Sequence, residues 1–147
     1  MTFTSLKILL VTGIYALFVA ALLQLLILPV LLPGLHAGFG LMQGFDSLGF
    51  HKLAVVQAQS IREEGWALFN LRPKGQAPAG IASLVYLMTG VERPIVLVPI
   101  HAALFALAGF YYFQIFTLLF DRRMALIGMM PFFLFPSALE IYGQIHK

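Results

Sequence analysis

Seven side chains in this 147-residue sequence are of types that could bind or act on a substrate: Asp46, His51, Arg62, Arg72, Lys74, His101 and Glu140. A carboxylate within hydrogen-bond reach of a hydroxyl can take its proton, which makes Asp46 the candidate catalytic base. Asp46 is followed by Ser47, and the pair serves equally well as a helix N-cap. His51 follows Asp46 by a little over one helical turn, close enough to share its site or to stand solvated beside it. Arg62, Arg72 and Lys74 suit an anionic group such as phosphate, or form a solvated, headgroup-facing surface. His101 and Glu140 fall within apolar runs, where an ionisable group is expected to face a bundle interior and to mark function. No Ser-His-Asp order, glycine-rich phosphate loop or HExxH motif is present, and the spacing matches no metal signature. The sequence has no cysteine, which excludes thiolate nucleophiles and Cys-ligated metals.

The elements that must position these groups are set by composition. Hydrophobic residues make up 61% of the chain and charged residues 10%, with a mean hydropathy of +0.93. A domain of this length could not hide so much apolar surface from water, so an all-α integral membrane protein is expected. The net charge of +3 is dispersed, without a basic face, and excludes a nucleic-acid partner. Three spans are predicted, at about residues 8–32, 95–120 and 124–141, each long enough to satisfy its backbone internally as a helix. The first run exceeds a signal peptide's apolar core and ends in Pro29, Pro33 and Gly34, as an uncleaved signal anchor would. Arg122 and Arg123 in the turn between the last two spans, and Lys7 before the first, place the N-terminus in the cytoplasm. Residues 33–94 then form an outer loop, which holds nine of the fifteen charged residues. Asp46, His101, Glu140 and His146 fall at the same membrane face in this topology.

Within the loop, glycines 34, 38, 40 and 44 predict a flexible entry. A helix is predicted over Ser47–Glu64, with Phe50, Leu53, Ala54, Ala58 and Ile61 on one face and Lys52, Gln59 and Glu63 on the other. It should lie along the membrane surface, with Trp66 and Phe69 at headgroup depth. The segment Pro78–Gly90 is too short to span. Its leading proline and closing glycine predict a short re-entrant or interfacial helix. The chain reads as a single membrane domain, 1–147.

This order of elements, carried by GFDSLGFHKLA, GWALFNLRPKGQAPAGIASLVYLMTG and FPSALEIYGQIHK, resembles the amino-terminal part of GT-C class membrane glycosyltransferases. That group includes the protein O-mannosyltransferase-like and lipid A sugar transferase-like enzymes. The resemblance implies transfer of a sugar from a polyprenyl-phosphate-linked donor to an acceptor at the outer face of the cytoplasmic membrane. Asp46 would be the base, and Arg62, Arg72 and Lys74 would bind the donor phosphate. His51, His101 and Glu140 complete the expected substrate-binding set. Many members carry a second acidic residue where Ser47 stands, so no cofactor is expected and a divalent metal would find one carboxylate here. Members are also longer, and this sequence reads as the N-terminal fragment of such a protein, inactive alone. The contrasting reading is a small non-catalytic membrane subunit or scaffold that binds partner helices through the aromatic surface around Phe110, Tyr111, Tyr112, Phe113 and Phe116.

Overall fold

A computed structural model describes residues 3–44, 46–134 and 144–145. The chain is mostly helical and divides into two compact units, Met1–Ala20 with Val98–Tyr142, and Ala21–Leu97 with Gly143–Lys147. Two helices are long and apolar enough to cross a membrane, Leu6–Leu31 and Pro94–Leu119.

In the first unit, α1 (Phe3–Leu22) and α4 (Val98–Leu119) bury mainly small residues, Phe113 being the large exception, and expose most of their large ones. Ala16, Ala102 and Ala106 are buried, whereas Leu10, Ile14, Phe18, Leu104, Leu107, Tyr111 and Leu118 are exposed. A Cβ on Gly13 would lie 3.3 Å from that of Ala106, so small side chains set how closely the two helices approach. Asp121 caps α5 (Arg122–Gly128), accepting from the backbone N–H of Arg123 at 2.8 Å and of Met124 at 3.0 Å. A carboxylate there offsets the two arginines that open the helix, where cations are otherwise disfavoured. Gly128 lies against the Phe116 ring, 2.5 Å from where its Cβ would stand, and Phe113, Ala125 and Met129 form the local core. The third predicted span differs from expectation in its described part. It runs as two short helices, α5 and α6 (Met130–Leu134), broken at Met129 next to Gly128 and Pro131. The remainder of that span lies outside the described residues.

The second unit begins where the α-helix widens into a π-helix over Leu23–Leu31. Pro29 lacks a donor and would break an α-helical ladder; here the run continues past it, and Leu32 N–H reaches back five residues to Ile27 at 2.8 Å. The glycine-rich entry is not a flexible tether. It forms an antiparallel hairpin, β1 (His36–Gly38) with β2 (Leu41–Met42), a strand pair the all-α expectation lacked. Both residues at its tip, Phe39 and Gly40, have positive φ, 55° and 77°, the requirement of a tight turn matched to strand twist. Gly40 is needed twice over, since a Cβ there would stand 2.7 Å from Cβ of Gln24.

The amphipathic helix α2 spans Ser47–Glu64, as its apolar spacing predicts. Phe50, Ala54, Ala58 and Ile61 are buried, while Lys52, Gln59 and Glu63 are exposed. The short helix α3 spans Ala77–Thr89, with Pro78 in its first turn and Gly90 as a left-handed cap donating to Tyr86 O at 2.9 Å. Helices α2 and α3 share a core of Phe50, Ala54, Ala58, Ala79, Ala82 and Tyr86, to which Leu97 and Ile145 contribute. Gln144, beside Ile145, accepts from Met42 N–H at 2.9 Å and donates to Gly40 O at 3.2 Å, fastening this short segment to the hairpin.

Candidate functional site

Helix α2 positions most of the candidate residues. Asp46 stands exposed at its head, with the backbone carbonyl accepting from Phe50 N–H at 2.9 Å. Its carboxylate makes no capping hydrogen bond to the first turn of the helix, unlike the cap expected of it. Five residues on, about 7.5 Å along the axis, His51 is only 3% exposed, which corrects its reading as a solvated surface group. Its Nδ1 shares a hydrogen bond of 2.9 Å with the Tyr86 hydroxyl, and its ring lies against Phe39 with centroids 4.8 Å apart and planes tilted by 54°. Burial holds the His51 ring below the ordinary histidine range of 6.5; the Glu92 charge opposes that shift and the Lys52 charge adds to it. Burial, followed by the Glu92 charge, also holds the Tyr86 phenol well above its ordinary value.

A groove of about 490 Å³ opens beside this pair, lined by Phe39, His51, Lys52, Val55, Val56 and Glu92. Its carboxylate is already engaged. Arg62 forms an ion pair with Glu92, and Gln59 donates to the same carboxylate at 3.2 Å. Arg62 also donates to Tyr86 O at 3.2 Å, a favourable place for a cation near the last carbonyls of α3. Arg62 lies sixteen residues from Asp46, about 24 Å along the helix, so the two cannot act on the same atom. Arg72 and Lys74 occupy the exposed turn between α2 and α3, where Arg72 N–H donates to Asn70 Oδ1 at 2.8 Å and Lys74 has a φ of 49°. That turn is held by buried polar contacts: Gln57 donates to Asn70 O at 2.9 Å and to Ser83 Oγ at 2.7 Å, and Ser83 donates to Gly80 O at 2.8 Å.

His101 is half-buried in the first turn of α4 and belongs to the other compact unit. Glu140 and His146 lie outside the described residues. Among the described residues, no three His, Asp or Glu side chains gather to hold a metal ion. Asp46, His51, Arg62, Arg72 and Lys74 therefore share one unit, but not one point within it.

Sequence reasoning missed Tyr86, Glu92 and Phe39. Tyr86 was readable in principle, since it follows Ala79 and Ala82 at helical spacing on the buried face of α3. The partnership of Arg62 with Glu92 joins residues thirty positions apart and has no local signature. No family model, curated protein or solved structure matches this chain.

Proposed function

We propose that this chain is the amino-terminal part of a GT-C class glycosyltransferase of the cytoplasmic membrane. In this reading Leu6–Leu31 and Pro94–Leu119 are membrane spans, a third follows, and residues 33–94 lie outside with the N-terminus inside. The observation that carries the reading is the exposed carboxylate of Asp46 at the head of a surface helix that it does not itself cap. Asp46 takes the proton of the acceptor hydroxyl as that oxygen attacks the anomeric carbon of the sugar. The bond from that carbon to the donor phosphate breaks, and its electron pair leaves with the phosphate oxygen. Arg72 and Lys74 in the exposed turn, away from Asp46, are the cations that would attract the anionic donor to this unit, because Arg62 is engaged with Glu92. His51 supports the head of α2 through Tyr86, and the groove beside it receives the acceptor.

The test uses the intact protein in membrane vesicles supplied with polyprenyl-phosphate-linked sugar. Asp46→Asn is expected to lower transfer by roughly 10²-fold or more, with membrane retention unchanged. Transfer at the parental rate in that variant would remove Asp46 from the mechanism.

The exposed apolar faces of α1 and α4 also support a second reading, a non-catalytic subunit whose helices pack against partner spans. Purification in mild detergent separates the two. A stoichiometric partner favours the subunit, and a lone monomer that binds the polyprenyl-phosphate-linked sugar counts against it.

A further inference from the structure

The groove at the far side of the hairpin is lined by Gln24, Leu25, Pro29, His36, Phe39, Gly40, Arg93 and Ile95 and has a volume of about 240 Å³. Its polar lining differs in kind from that of the groove beside His51, because it holds donors and a cation and no carboxylate. Close packing fixes the arrangement. Gly40 sits against Gln24, whose backbone oxygen would lie 2.8 Å from a Cβ at position 40, and Gln24 is 4% exposed. The Gly40 N–H donates to His36 Nε2 at 3.0 Å, which leaves the ring proton on Nδ1 as a further donor. Arg93 is exposed and makes no ion pair among the described residues, and the neighbouring Glu92 is neutralised by Arg62. The rest of the lining, Leu25, Pro29 and Ile95, is apolar.

We propose that this groove binds the phosphoryl headgroup of a bilayer phospholipid, with Arg93 and His36 on the phosphate and Leu25, Pro29 and Ile95 against the start of the acyl chains. A guanidinium beside N–H donors is the recurrent way to hold a phosphate oxygen pair. Depth favours the same ligand. The 26 residues of Leu6–Leu31 rise at most about 39 Å against a hydrocarbon core of about 30 Å, which leaves the end bearing Pro29 at headgroup level. The site is separate from the turn assigned to the donor phosphate, and it rests on the membrane placement of the two long helices rather than on sugar transfer.

The full chain, purified in neutral detergent, is titrated with short-chain phosphatidic acid, short-chain phosphatidylcholine and inorganic phosphate, and bound ligand is read by native mass spectrometry. Phosphatidic acid is expected to bind at least tenfold more tightly than inorganic phosphate and to weaken at least tenfold in Arg93→Gln. Arg93→Lys is expected to recover part of the loss, and Arg123→Gln, an exposed residue of the other unit, to bind as the parent does. Helix content by circular dichroism confirms that each variant is folded. Undiminished binding in folded Arg93→Gln, or an equal loss in Arg123→Gln, overturns the site. Equal affinity for inorganic phosphate and phosphatidic acid overturns the lipid assignment. Alkaline extraction of parental membranes is scored separately, so that release of the chain counts against the membrane placement rather than against the groove.

Discussion

The two compact units solve the burial problem in opposite ways. In the first, alanines and glycine are inside and Leu10, Ile14, Phe18, Leu107 and Leu118 are outside, with Thr12 turned back onto its own helix through a 2.6 Å bond to Ile8 O. In the second, Phe50 and Tyr86 are inside, Lys52, Glu63 and Glu64 are outside together with apolar residues such as Leu25, Trp66 and Met88, and buried polar groups such as His51, Gln57 and Ser83 are paired across helices. An apolar exterior over small-residue contacts is stable where the surroundings are lipid, since burying leucine there gains nothing. A charged exterior over a paired polar interior is stable where water is the alternative. The difference teaches that the first unit carries its apolar bulk outward on the two helices long enough to span a membrane, whereas the second pairs its polar groups inside.

A charge swap breaks the comparison most sharply. Phe18 lies near the middle of Leu6–Leu31 and is 64% exposed, and Val56 on α2 is 60% exposed. Phe18→Arg is expected to cost roughly 3 kcal/mol of insertion, seen as loss of the chain from alkali-washed membranes, while Val56→Arg leaves insertion and folding unchanged. Equal tolerance at both positions would erase the distinction.

Glycines sharpen it next. Gly80 in α3 lies so close to the Leu71 carbonyl that a Cβ would stand 2.1 Å from its oxygen, whereas Gly13 has 3.3 Å to Ala106. Gly80→Ala is expected to destabilise by about 2 to 3 kcal/mol in thermal unfolding, because backbone must move. For Gly13→Ala the helix-propensity gain and the slight crowding leave a net change within about 1 kcal/mol.

Buried polarity in the second unit gives a smaller effect and a pH signature. Tyr86→Phe removes the partner of His51 Nδ1 and is expected to cost about 1 to 2 kcal/mol. Burial lowers the His51 pKa in the folded state, so between the folded and unfolded values the unfolded chain binds more protons. The stability contributed by the neutral ring is therefore present above about 6.5, its unfolded value, and is lost as pH falls through the folded one. Unfolding midpoints measured from pH 8 down to pH 5 should decline below 6.5 in the parent, with a flatter profile in His51→Phe. Arg62→Ala, which breaks a partly exposed ion pair, should change stability by about 0.5 kcal/mol and less in high salt.

What the sequence disclosed followed its local periodicity. Helix α2 begins and ends at the predicted Ser47 and Glu64, and Pro78 and Gly90 bracket α3. The long apolar helix Pro94–Leu119 begins and ends within a residue of the second predicted span. The hairpin was hidden because a run of glycines permits both a tether and a tight turn, and the choice was made by Gln24 and Gln144 from distant parts of the sequence. The π-helix was hidden because Pro29 reads locally as a stop. Of the candidate site, Asp46 at the head of α2 was legible, whereas the burial of His51 and the pairing of Arg62 depend on residues 35 and 30 positions away.

The account turns on Asp46 facing water outside the membrane while Phe18 faces lipid, and the natural absence of cysteine makes this directly measurable. Gly49 is exposed one turn from Asp46, with nothing within 4 Å of where its Cβ would be. In intact cells treated with a membrane-impermeant maleimide, Gly49→Cys is expected to label and Phe18→Cys to remain unlabelled. Labelling of both alike, or of Gly49→Cys only after the cells are opened, would contradict the outward site and the reading built on it.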